Sequence, residues 1–160
     1  MLKLLLILAA LSPAIDPALA PPPDAGLAAT AEGGGVQVYA CETSANGQFA
    51  WTFIEPEATL YDAAGKPFGT HGRGPTWTAL DGSQISADAK APLGHVTRLG
   101  AVPELLLRVT GSSGSGILAG VRFVQRIDTV GGAAPLEGCD SSHADERRAV
   151  PYGATYRFFK

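Results

Sequence analysis

The chain has 160 residues, enough for one domain; it is 46% hydrophobic and only 17% charged, so it can bury a core and is not a disordered composition. A formal net charge of −3, with Arg147-Arg148 as its one adjacent pair of basic residues, argues against nucleic-acid binding.

The N-terminus reads as a secretory leader over residues 1–20. Lys3 supplies the positive start, Leu4 to Leu11 the short apolar run, and Ala18-Leu19-Ala20 the small residues at the two positions a signal peptidase inspects. The run falls far short of the ~20 residues that span a bilayer, so no transmembrane span is expected once the leader is gone. Pro21, which would follow the cut, is unfavourable there, so an earlier or later cut and an uncleaved anchor are the alternatives. The expected compartment is the periplasm or the outside of the cell. Residues 21–34, from Pro21-Pro22-Pro23 to Gly33-Gly34, show no apolar period and read as a flexible linker, with the folded domain over 35–160.

Val36 to Cys41 alternates and is β-branched, hence a strand. Asn46-Gly47 is a hairpin turn. Gln48 to Ile54 returns as a strand, with Phe49, Trp51 and Phe53 on one face and expected in the core. Ala58 to Tyr61 and Lys66 to Phe68 read as short strands around an Asp62 turn. Gly69 to Ser83 then gathers His71, Arg73, Trp77 and Asp81 among glycines, with Pro75 to Leu80 extended and Asp81-Gly82 turning.

Residues 88–100 lack a period and suggest a loop or one short helix. Leu105 to Thr110 is a buried strand. Ile117 to Thr129 alternates, with Arg122, Val124, Arg126 and Asp128 on one face, read as a solvated ion-pair ladder or an anion-binding surface. Val150 to Phe159 closes the chain with Tyr152, Ala154, Tyr156 and Phe158 on one face. Many short strands between Gly/Pro turns predict an all-β, single-domain antiparallel sandwich or barrel with long loops.

Two cysteines, Cys41 and Cys139, are expected to pair in an exported chain, the alternative being two buried thiols. His71, His95 and His143 have no metal-ligand spacing, so neither a metal nor a cofactor is expected.

The order Val36-Gln37-Val38-Tyr39-Ala40-Cys41, Trp51-Thr52-Phe53, Gly69-Thr70-His71, Gly74-Pro75-Thr76-Trp77 and Asp81-Gly82-Ser83 is followed by Val124 to Thr129. Gly131 to Pro135, Gly138-Cys139 and Val150 to Tyr156 complete it. Together these residues resemble the DUF3455 family of small exported proteins of unknown function, over about residues 35 to 159. The resemblance implies a compartment and domain boundaries, not a chemistry. Glu104 stands where that family usually has Trp.

His71, Arg73 and Trp77 are the candidate binding residues. His can move a proton near neutrality, Arg can hold an oxyanion, and Trp can stack on a ring. Asp81 could orient His71, and the alternative function is a hydrolase or lyase with His71 as acid–base and Asp81 or Arg73 as its partner, His71 and Asp81 being the candidate catalytic residues. No nucleophile motif accompanies them, since Ser83 follows a turn signature. His71 as a structural hydrogen bond and Asp81 as a plain turn residue are the competing readings. The expected function is a non-catalytic binding or envelope module whose partner is a small molecule, a glycan or an envelope protein.

Overall fold

The computed structural model describes residues 14–160, so the greater part of the expected leader lies outside the described residues. Nine strands are present among them: β1 (Leu27–Thr43), β2 (Phe49–Tyr61), β3 (Pro67–Gly72), β4 (Thr76–Ala79), β5 (Gln84–Ala87), β6 (Gly94–Val96), β7 (Glu104–Ser113), β8 (Phe123–Gly131) and β9 (Arg147–Phe159). All pairings are antiparallel, in the order β5-β4-β3-β2-β1-β9-β8-β7-β6. A further pairing of β5 with β7, from Gln84↔Ser113 to Ala87↔Val109, closes the sheet on itself. The fold is therefore an all-β barrel of eight strands, with β6 as a short addition along β7. Eight strands enclose a space that side chains just fill, or that holds one small ligand.

The interior is packed by Leu60, Trp77, Ile85, Leu105, Leu107, Val124, Tyr156 and Phe158, with the small Ala31, Ala58 and Ala79 between them. Small residues face large ones for a physical reason. A Cβ on Gly33 would lie 2.6 Å from the Tyr156 ring, and one on Gly35 would collide with the Glu57 carbonyl. The glycines expected to form a linker are thus the part of β1 over which Tyr156 and β2 close. This corrects the sequence reading: ordered structure begins well before residue 35, and β1 is paired with β9 from Leu27 onward.

A second cluster lies on the outer face, where Leu106, Phe123, Ile127 and Phe159 pack around Leu19. Asp16 caps a single 3-10 turn, Pro17–Leu19, through Ala18 N–H. Leu19 is fully buried, and its carbonyl accepts a 2.7 Å hydrogen bond from Gln125 Nε2. The end of the expected leader is therefore part of the domain, where burial of a leucine is worth about 1.5–3 kcal/mol.

Three further expectations change. Phe49, Trp51 and Phe53 are not core: Phe53 is 49% exposed, and Trp51 lies under the Arg148 guanidinium, 4.6 Å from its ring centroid, with Nε1 donating to Glu137 O. Residues 88–100 contain the short strand β6 rather than a helix. Arg122 and Arg126 form no common ladder. Arg122 pairs with Asp24 outside, whereas Arg126 turns inward and donates from Nε and Nη2 to Pro103 O. Cys41 and Cys139 are joined in a disulfide with Cα atoms 5.3 Å apart, which ties the loop after β8 to the end of β1.

Candidate functional site

The β3–β4 hairpin turns through a cis Gly74-Pro75 bond and sets His71 directly opposite Trp77. Inward-facing partners in an antiparallel ladder lie close enough to touch. Here the two rings stack with centroids 4.6 Å apart and planes at 15°. Tyr156 of β9 meets both, 5.0 Å from His71 and 5.9 Å from Trp77.

His71 is buried and its Nδ1 donates to Thr76 O at 2.8 Å. That bond requires the proton on Nδ1 and leaves Nε2 as an acceptor. Burial pushes the imidazole down to about 4, against the pull of the Thr76 carbonyl and with help from the Arg126 charge. His71 is neutral at physiological pH. Burial likewise raises Tyr152 and Tyr156, whose hydroxyls hydrogen-bond each other at 3.1 Å, so both remain protonated.

A cavity of about 340 Å³ opens at this end of the barrel. Its floor is Gln37, Trp77, Tyr156, Leu105, Leu107 and Arg126, with His71 beside them; Phe53, Arg73 and Lys90 stand at its rim. The size falls within the range of small-molecule sites. Two polar atoms in this floor are wholly buried without a hydrogen-bond partner, Trp77 Nε1 and Gln37 Nε2. The Gln37 amide nitrogen lies near enough to the Tyr152 hydroxyl to favour its ionised form but falls short of hydrogen-bond geometry. Arg126 sends its field through the same space, lowering the pKa of Tyr39, Tyr152 and Tyr156 against the larger effect of burial.

Of the residues singled out from sequence, His71, Arg73 and Trp77 share this cavity. Arg73 is mostly exposed and spends Nε and Nη2 on Glu55 at 3.2 Å each. Asp81 does not join them. It sits at the far end of β4, where Oδ1 accepts from Ser83 N–H and Oγ–H and Oδ2 accepts from Ile117 N–H, contacts that hold it below the usual carboxylate range. His95 is exposed on β6, and His143 is bound to Asp140 in the disulfide loop. Among the described residues no three His, Cys, Asp or Glu side chains converge as a metal site would need.

Gln37 and Tyr156 went unassigned to a site from sequence, and Arg126 was placed only on a candidate anion-binding face with Arg122 and Asp128, apart from His71 and Trp77. Gln37 could have been found from phase: Ala31, Gly33, Gly35 and Gln37 fall on alternate positions, and the glycines mark the side over which β9 and β2 close. Arg126 shares its phase with Val124, an interior residue, but Arg122 and Asp128 in the same phase disguise it as a surface position.

Among the described residues no helix is long and apolar enough to cross a membrane. No curated protein and no solved structure matches the chain. The family model described as a protein of unknown function (DUF3455) matches residues 21–160, and the chain belongs to that family.

Proposed function

We propose that this chain is an exported, non-catalytic binding protein that holds one small molecule in the mouth of its barrel. The observation that carries the reading is the pair Trp77 Nε1 and Gln37 Nε2, two buried donors without acceptors in the floor of one cavity. An unmet buried donor costs about 1–3 kcal/mol, so two such donors on residues that line one cavity are what a ligand with acceptor atoms, seated with a small adjustment of the floor, would satisfy. Export is supported by the Cys41–Cys139 disulfide and by the charged and apolar start of the sequence. The periplasm and the extracellular space are both consistent with these features.

The acid–base alternative finds less support. His71 stays neutral down to about pH 4, and Asp81 is occupied at the other end of β4. A thermal-shift screen of small organic acids, amides and sugars against wild type and Trp77→Phe tests the binding reading. Compounds that raise the melting temperature of wild type but not of Trp77→Phe, which keeps a ring and loses the N–H, are expected. A screen without such compounds would remove the small-molecule reading and leave a glycan or protein partner at the outer surface.

A further inference from the structure

The polar side chains deep in the cavity bring donors and no carboxylate. Trp77 Nε1 and Gln37 Nε2 are unpartnered, and Arg126 adds a guanidinium that no carboxylate approaches within ion-pair distance among the described residues. A partly buried cation without a counter-ion is costly unless something anionic completes it. The one carboxylate in the lining, Asp88, is exposed at the rim and accepts from Lys90 N–H, while the exposed Lys90 ammonium makes no ion pair among the described residues. The remaining walls are apolar, with Ile54, Pro56, Leu105 and Leu107 beside the exposed ring of Phe53, while the Trp77 and Tyr156 rings close the floor in edge-to-face contact with centroids 5.9 Å apart.

We propose that the cavity takes a small planar organic anion, its oxyanion head on Arg126 toward the unmet donors beneath, and its ring along Phe53 and the apolar walls above the Trp77–Tyr156 floor. The inference rests on the small-molecule reading above. Arg126 supplies charge, Gln37 and Trp77 supply direction, and Lys90 draws the anion in from solvent.

The test is calorimetric titration of the disulfide-intact chain with trans-cinnamate, cinnamamide and cinnamylamine, which share one planar body and differ in charge. The carboxylate should bind at least about tenfold tighter than the amide, as hydrogen bonds to a charged group allow, and the amine should not bind. Arg126→Gln should abolish the preference for the carboxylate. Lys90→Gln, an exposed position that leaves folding untouched, should reduce carboxylate affinity alone and flatten its salt dependence. Equal affinity for carboxylate and amide, or a carboxylate preference that survives Arg126→Gln in a folded protein, overturns the anion proposal while sparing the binding reading. Failure of all three probes counts against both.

A separate observation concerns processing and rests on the export reading. A cut after Ala20 would remove Leu19, the centre of the outer cluster, together with the carbonyl that holds Gln125 and the turn against which Gly94 must lack a Cβ. We infer that the leader is instead removed between Ala14 and Ile15. Ser12 and Ala14 are small residues at the two inspected positions, both residues of the scissile bond are exposed, and Ile15 replaces the unfavourable Pro21 after the cut. The new ammonium would enter the groove that holds residues 14–16, where Asp128 and the Arg98-paired Glu104 face it and Arg98 and Arg157 stand beside them. Expression of the full chain in an export-competent bacterium, followed by intact mass and N-terminal sequencing, should give a chain beginning at Ile15. Any other start, Pro21 in particular, or an unprocessed chain overturns the inference. A chain begun at Pro21 by design should melt lower than one begun at Ile15.

Discussion

The two ends of β4 carry polar side chains of opposite standing. At the far end Asp81 and Ser83 satisfy each other and the loop beyond: every acceptor of the pair meets an N–H or O–H, down to Ile117 and Leu118. At the mouth end Trp77 keeps a buried N–H unmet, and Gln37 does the same across the cavity. Both ends come from one glycine-rich stretch, and by residue type either could have been a site. Satisfaction of hydrogen bonds separates them, because a closed network specifies a fold whereas open donors around a space specify a visitor. Thr129 Oγ1, also unpartnered, sits in the β8 irregularity and lines no part of the cavity.

The comparison breaks most visibly at Trp77. Trp77→Ala removes a fully buried ring from between His71, Tyr156 and Phe158 and should cost about 3–5 kcal/mol in chemical denaturation. Trp77→Phe should cost a clearly smaller part of this, since no hydrogen bond disappears with the indole. Equal losses in the two variants would mean that Nε1 has a partner in the folded protein.

His71 comes next, through pH. The unfolded imidazole takes up its proton near 6.5 and the folded one only at about 4. Between these values the unfolded state binds more protons, so stability is complete above pH 6.5, falls as the pH drops through the window, and stops falling on this account below 4. The full loss is on the order of 3 kcal/mol. Urea melts from pH 7.5 to 4 should show the decline in wild type, and His71→Asn, which retains a donor for Thr76 O, should flatten it. Parallel slopes would mean that His71 is hydrated and titrates freely. Asp81 and Asp140, both held low by hydrogen bonds, lose their contribution in more acidic solution and do not mimic the effect.

A smaller effect sharpens the other end of β4. Ser83→Ala leaves the buried Leu118 N–H without an acceptor and removes one donor from Asp81, for a loss of about 1–3 kcal/mol. Ligand affinity at the mouth should not change. A loss of binding without a loss of stability would reverse the roles assigned to the two ends.

How far these assignments could be read in the sequence depended on what each residue's role rests upon. The alternation of Val36 to Cys41 and of Tyr152 to Phe158, and the turn at Asn46-Gly47, carry the strands directly. The interior face of β9 followed from period alone. Gly33 to Gly35 misled because glycine signals both freedom and close approach, and only Tyr156 and Glu57, more than 20 residues away, decide between them. His71 and Trp77 were legible as unusual residues in a hairpin, but their stacking depends on the register of β3 with β4. Arg126 was illegible as a cavity residue: the barrel's closure through β5 and β7 encloses the space it enters, and no local pattern encodes that pairing.

The smallest change in stability belongs to Gln37, and it discriminates best. If its amide serves the fold, replacing it with leucine should destabilise the barrel as the loss of a buried polar contact does. If its nitrogen is unmet in the empty protein, Gln37→Leu removes an unsatisfied donor and fills nearly the same volume, so the empty barrel should be as stable as wild type or slightly more so. The same variant should bind the anionic probe more weakly, because the donor that repaid its burial only on binding has gone. Stability gained and affinity lost from one substitution is the relation expected of a residue retained for function. Thermal melts and calorimetry on the one protein measure both quantities, and a variant that loses stability while keeping affinity would return Gln37 to the scaffold and leave Trp77 and Arg126 to define the site.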